Sequence, residues 1–187
     1  MVKLSVPEKI KPGRVKIIMI CEGLPENDED YFYSSSSSLY VVNTIAAFND
    51  AGIEVAEVDD IVRKGVYLTV AVKATRTGTT IPSAVIKEHS YALEEELNAF
   101  PNVRAMLLMG DAAIKALNFI SKRATGKRAI PAGSTYKIRK EEFYYGDIRV
   151  FPSYLQTGRN FLIEKSKQRM VAEDIRNAFE LVNRREA

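Results

Sequence analysis

Two stretches of this chain are almost continuously apolar, RVKIIMI (14–20) and VRAMLLMG (103–110). Runs without polar alternation are what strands buried on both faces require. GVYLTVAVK (65–73) is rich in β-branched residues, and DIRVFPS (147–153) is a shorter run of the same kind, so four strands are predicted. Helical patterns lie between them. LYVVNTIAAFNDAGI sets Leu39, Val42, Ile45, Ala46 and Phe48 near one face, with Gly52 as a C-terminal stop. Pro82 fits the first turn of a helix whose apolar side is Val85, Ile86, Tyr91, Leu93 and Leu97. DAAIKALNFI (111–120) follows Gly110, with Asp111 as the expected N-cap. Towards the C-terminus, Ile163, Met170, Val171, Ile175, Phe179 and Val182 fall at helical spacing. Strand and helix alternate, which predicts an α/β sandwich around a mainly parallel sheet. Residues 121–146 break the pattern, and TYKIRKEEFYYGD (135–147) at their end reads as a small β-hairpin or strand pair.

Composition narrows the class. The 187 residues read as a single domain, 1–187, with apolar and charged contents of 46% and 27% that fit a globular protein. One cysteine excludes an internal disulfide framework, and with one histidine it leaves no ligand set for structural zinc or a four-cysteine iron–sulfur cluster. No metal or cofactor is therefore expected. No apolar run is long enough to span a bilayer, and MVKLSVPEKIKPGR lacks the apolar core of a signal peptide, so a cytoplasmic protein is expected. A net charge of +3 permits a nucleic-acid partner without requiring one.

Open parallel sheets bind ligands outside the carboxyl ends of their strands. That rule selects four loops: CEGLPENDED, KATRTGTT, GDAA and PSYLQTGRN. The first is the densest in chemistry, with five acidic residues, then Phe32 and Tyr33, then five serines, Ser34–Ser38. Two readings stand for it. In one, the acids are solvated, the aromatics pack on the sheet edge and the serines are a flexible run. In the other, the loop is one wall of a ligand pocket.

The same four loops resemble, in unbroken order over residues 14–183, the motifs of the uracil-DNA glycosylase superfamily, closest to its microbial iron–sulfur branch. CEGLPENDED resembles the Gly-Glu-Ala-Pro-Gly motif and its following acids. TVAVK (69–73) resembles Thr-Asn-Val-Val-Lys, LLMGDAAIKAL the Leu-Gly-x-x-Ala pattern, and PSYLQT (152–157) the Pro-Thr-Tyr-His-Pro-Ser motif. The resemblance implies a three-layer α/β/α sandwich with a central four-stranded sheet. It implies hydrolysis of the N-glycosidic bond of uracil or another damaged base in DNA. It also marks positions that have changed: the motif histidine falls on Leu155, the base-reading asparagine on Val70, and Cys21 replaces a glycine. The one histidine, His89, lies in a predicted helix and is expected to be partly exposed there.

Base excision needs a carboxylate near the sugar, an aromatic against the flipped base and donors for its edge. The resemblance makes Glu22 the first carboxylate candidate and Asp28 the second, with Glu26 also open. Phe32 or Tyr33 is the stacking aromatic, and Pro25, Val70, Leu155, Thr157, Arg159 and Asn160 line the base site, with Gln156 a further donor. Arg159 and Asn160 serve equally well as solvated residues opening the last helix. Gly110, Ser153 and Gly158 are the phosphate positions, and Lys122, Arg123, Lys127 and Arg128 a basic segment that meets DNA or solvent. Three functions follow: a divergent DNA glycosylase acting as a monomer, a non-catalytic nucleic-acid or nucleotide binder, or a protein acting on small nucleosides.

Overall fold

The computed structural model describes residues 6–76 and 78–186. Thr77, in the second of the four loops, and part of the N-terminal stretch lie outside the described residues. Five strands form one sheet: β1 (Ile17–Leu24), β2 (Val66–Thr75), β3 (Ala105–Met109), β4 (Phe143–Tyr145) and β5 (Ile148–Ser153), in the order β2-β1-β3-β5-β4. β2, β1, β3 and β5 run parallel, with Ile17 level with both Val66 and Ala105, while β4 pairs antiparallel with β5.

The expected four strands thus become five. The extra one comes from the segment read as a hairpin: FYY folds back on IRV through Gly146, whose φ of +58° a glycine adopts freely. The first half of that segment is instead a short helix, α5 (Thr135–Ile138).

The remaining helices are α1 (Leu39–Asp50), α2 (Val58–Arg63), α3 (Ser83–Leu97), α4 (Asp111–Thr125) and α6 (Lys165–Glu186). They divide the core in two. Ile17, Met19 and Cys21 of β1 join Val41, Phe48, Val171 and Ile175 from α1 and α6. The alternate residues Ile18 and Ile20 join Ile86, Leu93, Leu117 and Ile120 from α3 and α4. An apolar strand with no polar alternation is the consequence of burial on both sides, and each such side chain contributes roughly 1.5–3 kcal/mol.

Several local expectations change. Leu39 and Val42, expected on the apolar face of α1, are 45% and 41% exposed while Val41, Ala47 and Phe48 are buried, and Ile163 is 75% exposed ahead of α6. Tyr91 is 57% exposed, and the inward face of α3 is Ile86, His89, Ser90, Leu93 and Leu97. Gly110, at φ +102°, takes the N-cap position of α4, and Asp111 is its first helical residue. Ser38 is the N-cap of α1: its Oγ accepts from Val41 N–H and donates to the Asp30 carbonyl. Ser35 Oγ accepts from the backbone N–H of Ser37 and Ser38, so the serine run is a hydrogen-bonded entry into a helix.

Candidate functional site

Because four strands are parallel, the loops after β1, β2, β3 and β5 meet at one edge of the sheet. There the loops after β1, β2 and β5, with the start of α1, line a cleft of about 480 Å³, whose walls include Glu22, Pro25, Tyr40, Leu155, Thr157 and Arg159. A second hollow of about 500 Å³ adjoins it, and Glu22, Arg76 and Leu155 line both.

Glu22 is the best-defined group at this edge. Its side chain is 12% exposed and accepts from Arg76 Nη1 at 2.8 Å through Oε2. Through Oε1 it accepts from Ala112 N–H in the first turn of α4, at 3.3 Å. A helix N-terminus favours an anion at this place. Arg76 is itself held over the loop after β2 by donating to the carbonyls of Gly78 and Thr79. It was not singled out from sequence; its loop was, and a cation at a strand end facing an acidic loop was the available signal.

The cleft brings together Glu22, Pro25, Leu155, Thr157, Gly158 and Arg159. Gly110 and Ser153 line the second hollow. Others lie elsewhere. Asp28 is exposed in a 3₁₀ turn, Asp28–Asp30, and Asp30 reaches the cleft in its place. Asn160 is exposed, its carbonyl accepting from the N–H of Ile163 and Glu164 ahead of α6.

Phe32 is 1% exposed within the α1–α6 core, and Val70 is fully buried. Tyr33 turns its hydroxyl onto β2, donating to the Leu68 carbonyl at 2.9 Å and accepting from Leu68 N–H at 2.8 Å. Neither Phe32 nor Tyr33 lines the cleft. The aromatic that does is Tyr40, whose hydroxyl donates to the Gly23 carbonyl at 2.6 Å. The sequence places Tyr40 only at the start of a helix.

Gln156 also points inward. Its amide contacts Cys21 Sγ, Met19 Sδ and Thr44 Oγ1 at 3.1–3.3 Å, so it locks the loop to β1 instead of presenting a donor to a ligand. Asn43 donates to the carbonyls of Gln156 and Gly158, fixing the same loop from α1. Burial pushes the Cys21 thiol up to about 12.

Two buried ionic networks tie the sheet to its helices. Lys73 pairs with Glu96 and donates to Thr69 Oγ1 and the Val70 carbonyl, while Tyr67 and Thr69 hydroxyls donate to Glu96. Burial lowers the Lys73 ammonium from its ordinary value. His89, expected to be partly exposed, is 8% exposed, and its Nδ1 accepts from Lys73 N–H. On the other side, Ser153 Oγ donates to Asp174 at 2.6 Å, and Arg139 Nη2 pairs with Asp174 at 2.8 Å and Glu173 at 2.9 Å. Burial pushes the Asp174 carboxyl up to about 6.

The basic segment is not at the cleft. Lys122 and Arg123 close the far turn of α4, which at 1.5 Å per residue is roughly 20 Å from Gly110. Arg123 there pairs with Glu94 and stacks on Tyr91. Among the described residues no cluster of three His, Cys, Asp or Glu side chains is arranged to hold a metal ion, and no helix is long and apolar enough to cross a membrane.

No family model matches the chain, and no curated protein matches it significantly.

Proposed function

We propose that this protein is a divergent member of the uracil-DNA glycosylase superfamily, a three-layer α/β/α sandwich that hydrolyses the N-glycosidic bond of uracil or another damaged base in DNA. The same reading takes it as a cytoplasmic monomer. The observation that carries it is Glu22: a carboxylate near the end of β1, held by Arg76 and the α4 amide, facing a cleft. The four parallel strands also match the sheet that the resemblance implies, with β4 as an added antiparallel edge.

In this reading the damaged base enters the cleft beside Tyr40, Leu155 and Thr157. Glu22 orients a water against the sugar carbon. The carbon–nitrogen bond breaks with its electrons passing to the base, the water oxygen bonds to the carbon, and its proton passes through Glu22 to solvent. Arg159, exposed at the cleft, faces the departing anion. A positioned acid–base group contributes about 10²–10⁴-fold in rate. With Leu155 in place of a side-chain donor, slow turnover follows.

One observation favours a second reading: Glu22 is already engaged by a cation, which suits a pocket that binds a nucleotide without cleaving it. The deciding experiment is single-turnover base release from uracil- and hypoxanthine-containing oligonucleotides. Alkali-labile abasic sites formed by the wild-type protein, and reduced at least about 100-fold in Glu22→Gln, support hydrolysis. Salt-sensitive binding with no abasic product at high enzyme concentration replaces it with the binding reading.

A further inference from the structure

The two adjoining hollows differ in charge. The first carries Glu22, Glu26 and Asp30 against Arg76 and Arg159. The second carries Arg76, Lys115 and Lys167 against Glu22 and Asp111. With Glu22 and Arg76 shared and paired, what remains is acidic in the first and basic in the second. A phosphodiester chain is repelled by the first and attracted by the second.

The second hollow also offers an aromatic surface. Tyr136 is 71% exposed at its rim, the largest exposure among the aromatic side chains described as exposed, and Tyr154 lies on its wall with Lys167 Nζ 5.9 Å from the ring centre. Among the described residues, Lys167 is otherwise tied only to Glu164 in a half-exposed pair, which contributes little and yields readily to a phosphate. Lys115 is exposed on α4 one turn beyond Gly110. An open ring face beside two separated cations is the combination that holds unpaired nucleotides: bases stack and phosphates pair. Paired bases in a duplex have no free face to offer Tyr136.

We propose that the hollow between α4, α5 and the start of α6 is a track for single-stranded DNA, with Tyr136 stacking on a flanking base and Lys115 and Lys167 neutralising its phosphates. This inference rests on the proposed function, in which the target base occupies the neighbouring cleft, and it names the strand state of that substrate.

The test is fluorescence anisotropy with a labelled oligothymidylate, single-stranded and annealed into a duplex, at several salt concentrations. Wild-type protein is expected to bind the single strand more tightly than the duplex. Tyr136→Ala is expected to weaken single-strand binding by about 5- to 100-fold. Lys115→Ala is expected to lower the slope of log affinity against log salt by about 0.7. Both positions are exposed, so neither variant removes a core contact. Unchanged single-strand affinity in Tyr136→Ala, or equal affinity for duplex, overturns the inference. The outcomes separate it from the reading it rests on. Base release with wild-type binding in Tyr136→Ala defeats the track and leaves the glycosylase. The expected binding pattern with no base release defeats the glycosylase and leaves the track.

Discussion

Glu22 occupies the place where a side chain on Gly110 would begin. A Cβ built at Gly110 lies 2.6 Å from Glu22 Oε1, and Gly110 also holds φ at +102°. The carboxylate at the end of β1 therefore depends on a missing methyl at the start of α4. Gly110→Ala is expected to cost about 1–3 kcal/mol through backbone strain, measurable by urea unfolding. It is also expected to reduce base release as Glu22→Gln does. A Gly110→Ala protein of wild-type stability and activity shows that the two residues are independent.

Cys21 is fully buried against Gln156, with its thiol pushed up to about 12. Thiolate, not thiol, is the reactive form. In the native protein at pH 8 a disulfide reagent should label no cysteine, and in denaturant it should label one. Fast labelling of the native state contradicts the packing of Gln156 over β1.

Asp174 gives a pH dependence with a definite sign. Its folded carboxyl titrates near 6, above the ordinary 3.8, because burial outweighs the help of Ser153 and Arg139; Glu173 adds to the rise. Folding thus favours the protonated form. The contribution is fully present below about pH 4, falls as the pH rises to about 6, and is constant above. It amounts to roughly 3 kcal/mol. The stability of wild type minus that of Asp174→Asn, followed by thermal unfolding, should fall across that window as the pH rises. A signed difference that rises with pH refutes the assignment.

Lys73 and Glu96 are 3% and 6% exposed, so neither charge has water to fall back on. Lys73→Met strands the carboxylate and is expected to cost about 3–5 kcal/mol in urea unfolding. Lys73→Met combined with Glu96→Gln should recover part of that loss. Additive losses in the double variant mean that the two side chains are not coupled.

The strands and major helices were legible because their signals are local: apolar runs, Pro82, Gly52 and the spacing of residues in α6. β4 was legible only as half of a hairpin, since three residues of FYY carry too little pattern to fix a strand. Which way a ring turns is not local at all. Phe32, Tyr33 and Tyr40 sit within one short aromatic stretch, and only the fold decides that the third faces the cleft and the first two do not. Arg139 and Asp174 stand 35 residues apart, and nothing in either neighbourhood announces the pair. The carboxylate end of the site was readable because Glu22 is attached to a strand. Arg76 was readable only as a cation in its loop, because it acquires its role by reaching across to another.

The hydroxyl of Tyr33 has a consequence beyond its own loop. β2 ends the sheet on one side, and an unpaired strand is an open template for another chain. Here Tyr33 occupies both backbone groups of Leu68, Lys73 Nζ takes the Val70 carbonyl, and His89 takes the Lys73 amide. Side chains from the acidic loop, α3 and β2 itself occupy four backbone groups of this strand. An aromatic that looked like a ligand contact thus covers part of the sheet edge.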